Sequence, residues 1–358
     1  MTGVGAVLLP LYVSILSLIF GFDEAELVFV GDAMQHSAQL DGARVSRDTY
    51  DYSQYFGNLP PAVAMADLAV VNLETPVGRP PYSGYPCFNA PTSFADALKD
   101  AGFDLFLTAN NHTLDHGPAG LRATVAHLDS IGVKHLGTYA DEQARTTALP
   151  LIATVNNIKI GFLNYTYGTN GITPSRGVVV DYIDRDRIKA DVDSTRAAGA
   201  EIVAVCIHWG DEYKLLPNKS QKNTADFLEA LGVDMIIGAH PHVIQPMELR
   251  PNRYYPDKNV FLVYSLGNFV SNMKTADTRG GALARVRLRR GDDGKVAVTD
   301  ADYTLLFTVP GNSPKSNFRV YQADRVEDRT WRVRAEDFMR RARAVFEKHN
   351  IGVPEASE

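Results

Sequence analysis

Five apolar runs in this 358-residue sequence each end on polar residues able to hold a metal ion or move a proton. The stops are Gly31-Asp32, Asn72-Leu73-Glu74, Ala109-Asn110-Asn111-His112, His208-Trp209-Gly210 and Gly238-Ala239-His240-Pro241-His242. A single histidine at the end of a strand is ordinarily a hydrogen-bonded cap. Five such stops in order point instead to one site, because ligands in α/β sheets gather where loops leave the carboxyl ends of neighbouring strands. Carboxylate, amide oxygen and imidazole are hard to borderline donors. They suit one or two divalent ions of Mn, Fe, Zn or Mg rather than a soft thiolate centre.

The elements that must position these residues follow from the patterning. Short apolar runs at 26–30, 68–71, 105–107 and 135–137 read as strands, with helices expected near 62–66, 93–101 and 117–131 between them. Leu151 to Val155 and Ile158 to Tyr165 form an expected hairpin across Asn156-Asn157. Helices at 183–198 and 220–231 then alternate with strands at 202–207 and 235–237. Strands at 260–264, 282–288 and 296–306, a polar linker at 309–318 and a charged helix at 335–348 complete the chain. This is an α/β pattern: two packed sheets flanked by helices. It divides into an export segment (1–24), one domain (25–308), and a linker with a C-terminal helix (309–358).

The motifs FVGDAM (29–34), VNLETP (71–76), LTANNHTLDHG (107–117), IHWGDEY (207–213), GAHPHV (238–243) and YSLGNFV (264–270) together resemble the CapA/PgsA family. These are bacterial capsule and poly-γ-glutamate synthesis proteins, themselves similar to calcineurin-like metallophosphoesterases. The resemblance spans roughly residues 26 to 275. It implies a four-layer α-β-β-α sandwich of two mixed sheets and a dinuclear-type metal site. Asp32 and His242 would serve the first metal, Glu74 would bridge, and Asn111, His208 and His240 would complete the second. His112 would be the acid that protonates a leaving oxygen, and Asp115 could orient it. The implied function is an exported capsule or poly-γ-glutamate biosynthesis protein, either a metal-dependent hydrolase or a non-catalytic polymer-binding or scaffold subunit. Two positions depart from the calcineurin-like pattern: Met34 stands where Asp-x-His would place an imidazole, and the bridging residue is Glu rather than Asp. A site short of one ligand would hold a single metal, or two with unequal affinity.

Neighbouring residues allow more than one role. Asn72 and Thr75 could hydrogen-bond around Glu74 or simply make a turn. Trp209 could stack on a substrate, and Glu212 could be a base or a solvated carboxylate. Tyr82 to Phe88 reads as a loop over the site or as ordinary loop packing, and Asn268 as a structural strand end. Arginines alternating along 284–290 could meet an anionic polymer or lie on a solvated sheet face. The only cysteines, Cys87 and Cys206, lack zinc-type spacing, and Cys206 reads as a buried small hydrophobe. The net charge of −6 offers no global basic field for nucleic acid. The uncharged run from Val4 to Phe22 reads as a signal peptide or membrane anchor. Expected partners are therefore an anionic cell-envelope polymer, the membrane, and capsule synthase or export subunits, in an extracytoplasmic setting.

Overall fold

The structure, a computed structural model, describes residues 23–311 and 317–357. The expected export segment lies outside the described residues but for its last two. Among the described residues, no helix is long and apolar enough to cross a membrane.

The chain opens with β1 (Glu24–Ala33), α1 (Ser37–Ala43), α2 (Pro61–Met65), β2 (Leu68–Leu73), α3 (Ser93–Asp100), β3 (Leu105–Leu107), α4 (Gly117–Ser130) and β4 (Lys134–Leu136). It continues through α5 (Glu142–Ala148), β5 (Leu151–Val155), β6 (Ile158–Thr166), α6 (Arg185–Ala197), β7 (Ile202–His208), α7 (Lys219–Ala230), β8 (Met235–Ala239), β9 (Ile244–Pro251) and β10 (Asn259–Leu266). Last come β11 (Asn268–Val270), β12 (Gly280–Arg290), β13 (Val296–Val309), β14 (Arg319–Gln322) and α8 (Arg329–His349). One eight-stranded sheet has the order β14-β13-β12-β1-β2-β3-β4, with β11 also pairing β1; the other has the order β9-β10-β8-β7-β6-β5. Both sheets mix parallel and antiparallel pairs.

Each central strand is apolar on both faces because both faces are covered, the situation that turns alternation into a continuous run. From β1, Leu27 and Phe29 enter the core between the sheets, while Val28 and Val30 face a second core beneath α3. From β7, Ile202, Ala204 and Cys206 point into the shared core, and Val203, Val205 and Ile207 pack against α6 and α7. Four layers, α-β-β-α, result. The hairpin expected at Asn156-Asn157 is present: both residues have positive φ (47° and 65°), as a two-residue turn between twisted strands requires.

Differences from the sequence reading lie at the periphery. Helices α1 and α5 are short and offer weak apolar periodicity. The stretch 319–322 adds β14 to the edge of the larger sheet. Helix α8 begins at Arg329, six residues earlier than the reading placed it, because Asp328 caps it by accepting the Trp331 N–H. Its charges hide an apolar face, with Ala335, Phe338, Ala342 and Phe346 packed into the inter-sheet core. Cys206 lies in that core and Cys87 is exposed, and neither is in a disulfide.

Two glycines let strand ends approach closely enough to build a site. A Cβ on Gly31 would fall 1.9 Å from the Gly267 carbonyl oxygen, and one on Gly238 would fall 2.1 Å from that of Tyr264. The first contact seats β11 beside β1, where Asp32 N–H donates to Gly267 O at 3.0 Å. Gly31→Ala is therefore expected to lower stability by about 1–3 kcal/mol. A urea midpoint shifted down with an unchanged slope would show it; a midpoint equal to wild type would refute the close-approach account.

Candidate metal centre

The sequence-identified residues converge at the carboxyl ends of the central strands of both sheets. The larger sheet supplies Asp32 from β1, Glu74 after β2, and Asn111 and His112 after β3; the smaller supplies His208 at the end of β7 and His240 and His242 after β8. All are buried. His208 Nε2 lies 2.8 Å from Asn111 Oδ1 and 3.6 Å from Glu74 Oε1. His242 Nδ1 lies 3.1 Å from Asp32 Oδ2, and its Nε2 lies 3.8 Å from Glu74 Oε1.

Glu74 is the centre of this arrangement. It is 0% exposed, and neither carboxylate oxygen has a hydrogen-bond partner; His240 Nδ1 is likewise buried and unpartnered. Leaving such groups unpaired in the interior is costly. Two sets of ligand atoms lie within 4.8 Å of one another, Glu74-His240-His242 and Asp32-Glu74-His208, and Glu74 belongs to both. These sets cut across the partition that the resemblance implies, since His208 groups with Asp32 and His240 with His242. The shared carboxylate is the same. Orphaned acceptors, imidazole nitrogens and an amide oxygen converging on one spot fit a divalent cation.

The electrostatics have the same origin. Burial acts upward on the Asp32 carboxyl, yet the His242 hydrogen bond and charge, then His208 and the Asn72 amide, pull it down to about 2. Burial disfavours charge on His242, but Glu74 and Asp32 outweigh it and raise the imidazole to about 9. Glu74 is pushed well above the carboxylate range, first by burial and then by the charge of Asp32. Burial lowers His208 to about 3 and, with its two histidine neighbours, lowers His240 as well. Protons thus sit on His242 and Glu74, where a cation would replace them.

Hydrogen bonds from adjacent strand ends fix the ligands. The Asn72 amide donates to Asp32 Oδ1 at 2.7 Å, and Asn268 Oδ1 lies 3.0 Å from His242 Nδ1, so both residues have a direct part in holding ligands. His240 and His242 sit at φ of 99° and 57°, a strained backbone for non-glycine residues and one that the Gly-Ala-His-Pro-His turn imposes. His112 Nδ1 is 2.8 Å from Asp115 Oδ2, whose carboxylate also accepts the Phe88 N–H at 2.7 Å. Phe88 packs edge-on against the His112 ring, which accounts for the 82–88 loop. Exposed Tyr167 and Tyr213 lean over His240 and His242, with ring centroids 4.6 and 6.2 Å apart.

Three residues went unread in the sequence: Asn164, Tyr167 and Asn170. Asn164, buried in β6, accepts the N–H groups of Thr108 and Ala109 and donates to Cys206 O. It therefore ties the Asn111-His112 loop of one sheet to the His208 strand of the other. An asparagine inside an otherwise apolar strand was the available signal. Other roles are corrected. Trp209 is buried, with its indole N–H on Tyr264 O at 2.8 Å, and is out of reach of a substrate. Arg285, Arg287, Arg289 and Arg290 pair with Asp302, Glu26, Glu24 and Glu201, so this stripe is neutralised by its neighbours. His36 caps α1 and packs against Phe88, and Met34 is buried.

Two outcomes follow. A folded-state carboxyl pKa raised above the ordinary 4.5 means that the folded chain keeps a proton which the unfolded chain loses, so stability falls as pH rises from there. In chelator-treated protein, Glu74→Gln is expected to raise the urea midpoint more at pH 8 than at pH 5; an equal gain at both would contradict a proton on Glu74. Asn164→Leu leaves two N–H groups and a carbonyl unpaired, and is expected to weaken Mn2+ binding at least tenfold by calorimetry while circular dichroism stays native.

Residues 26–273 match the family described as bacterial capsule synthesis protein PGA_cap. The PGA biosynthesis protein CapA of Bacillus subtilis is 31% identical over 211 residues, covering 57% of this chain and 52% of that protein. The chain thus spans about half the length of that relative. The capsule biosynthesis protein CapA of Bacillus anthracis is 26% identical over 319 residues, covering 85% of this chain and 72% of that protein. Among solved structures, the NAD nucleotidase of Haemophilus influenzae aligns at 12% identity with a TM-score of 0.48, covering 94% of this chain and 65% of that one. With most of its length inside the family match, the chain belongs to the bacterial capsule synthesis PGA_cap family.

Proposed function

We propose that this protein acts outside the cytoplasm in the synthesis of a capsule or poly-γ-glutamate polymer, as a metal-dependent hydrolase of a phosphoester or of an ester or amide in a cell-envelope polymer. Glu74 carries the reading: a fully buried carboxylate with no hydrogen bond, shared by two sets of ligand atoms. Asp32, Glu74, Asn111, His208, His240 and His242 would hold one or two divalent ions, which when bound acidify a water and neutralise charge on the reacting group. Asn72 and Asn268 keep Asp32 and His242 aimed inward. Asp115 engages His112 Nδ1, which leaves Nε2 to deliver a proton to a leaving oxygen. The N-terminal apolar run would bring the protein to the membrane, beside synthase or export subunits. Support for the polymer role comes from the capsule and PGA relatives.

One observation favours a binding role instead. Met34 is buried and His36 is engaged in capping α1, so neither supplies the imidazole that calcineurin-like sites carry at this corner. The same donors would then hold polymer carboxylates through the metal without cleaving anything.

Elemental analysis of protein purified without chelator is expected to find a transition metal near stoichiometric level. Less than a tenth of an equivalent, even after reconstitution, would sink both readings. On bis(p-nitrophenyl) phosphate and on poly-γ-glutamate, His112→Ala is expected to lower kcat by about 10²–10⁴ with metal content unchanged. Full activity in that variant would rule out the acid role. Bound metal and capsule loss on deletion, with no turnover, would select the binding role.

A further inference from the structure

Away from the metal centre, one buried charge has no counterpart. Arg279, just before β12, is 6% exposed, its Nη1 is fully enclosed, and its guanidinium takes part in no hydrogen bond or ion pair among the described residues. Other partly buried arginines are satisfied: Arg145 by Asp181 and Asp191, Arg250 by Glu229 and Glu248, Arg285 by Asp302. Arg279 rests instead 5.1 Å over the ring of Trp331. Exposed Arg334 lies 4.7 Å over the same ring, and no ion pair joins it to a described carboxylate. An indole face attracts a guanidinium, but it does not replace a counter-charge, and here two like charges share one ring.

The surroundings sharpen the mismatch. Trp331 belongs to the first turn of α8, a 21-residue helix whose N-terminal end adds positive potential. The nearest carboxylate in sequence, Asp328, is used as the helix cap, accepting the Trp331 N–H at 3.0 Å. The groups acting on Arg279 are its own burial and the charge of Arg334, both of which disfavour its charge. A planar guanidinium fork matches carboxylate and phosphate oxygens, and a pair of them on a rigid aromatic plate is the usual protein means of holding an oxyanion. The position is also connected to the metal centre. Thr278, the preceding residue, accepts the Asn268 amide at 2.8 Å, and Asn268 in turn contacts His242.

We propose that Arg279 and Arg334, set on Trp331, form an oxyanion site separate from the metal ligands, and that it takes a carboxylate of an acidic polymer chain. The source of the carboxylate rests on the polymer role proposed above; the anion site itself rests only on the unpaired arginines. A chain held there would be anchored on the protein that also carries the metal centre, so that affinity gained at the arginines serves whatever happens at the metal.

The test titrates the full chain with sodium phosphate, glutamate and tetra-γ-glutamate, following Trp331 fluorescence and heat. Tetra-γ-glutamate is expected to bind saturably and at least tenfold more tightly than glutamate. Arg334→Ala, a surface change, should weaken it at least tenfold, and Arg279→Gln should abolish it. Metal content should be unchanged in both variants, and chelator-treated protein should bind the anion as before, so failure of the metal reading leaves this test intact. Arg279→Met should raise the urea midpoint above wild type in anion-free buffer and lose that advantage at saturating tetra-γ-glutamate. No response to any anion, or a response that survives both arginine changes, overturns the site. Binding of phosphate without tetra-γ-glutamate overturns its assignment to the polymer.

Discussion

Glu74 concentrates the physical problem that the rest of this fold is arranged around. A carboxylate enclosed between two sheets, out of reach of water and of any hydrogen-bond donor, is tolerated only if something positive is brought to it. The protein's own answer is partial: a proton on Glu74, another on His242, and an ionised Asp32 beside the latter. Each of these groups has its environment set by the others. Replacing the protons with a cation would satisfy Glu74, Asp32 and the unpartnered nitrogen of His240 at once, which no single side-chain rearrangement could do.

That problem constrains how the sheets meet. Ligands come from both, so their relative position has to be held at the strand ends rather than only through the apolar core, which tolerates small slips. Asn164 provides a rigid polar link there, bonding Thr108 and Ala109 on one side and Cys206 on the other. Gly31 and Gly238 permit backbone approaches that any side chain would block. The left-handed backbone at His240 and His242 is a further cost, offset by the packing of the surrounding strands and concentrated where both imidazoles must turn inward.

The layered core and the ligand residues were legible in the sequence because they obey local rules. Doubly covered strands are continuously apolar, and a polar stop after each marks its carboxyl end, so Asp32, Glu74, His208 and His240 could be read in order. What was not legible depends on distant pairing. The arginines from 285 to 290 looked available because their partners, Glu24, Glu26, Asp300 and Asp302, lie on neighbouring strands. Trp209 looked like a stacking residue because its bond to Tyr264 O spans 55 positions. Asn164 was hidden inside an apolar run, and the grouping of ligands into two sets is a property of side-chain directions that motif order does not encode. The start of α8 was missed because its first turn is charged and its apolar face begins only at Ala335.

The Met34 substitution can now be weighed on geometry. Loss of an imidazole beside Asp32 removes a neutral donor from a corner that keeps two charged or chargeable ones, Asp32 and His242, along with the shared Glu74. The corner formed by Asn111 and His208 keeps both of its donors, at 2.8 Å from one another. Affinity therefore falls mainly on one side of Glu74, while His112 and Asp115 stand on the Asn111 side, next to the better-furnished position. A proton donor placed there is useful only if a bond is polarised there. The asymmetry thus keeps the hydrolytic reading coherent with a single tightly held ion, and it makes the second ion, rather than the chemistry as a whole, the part that Met34 puts at stake.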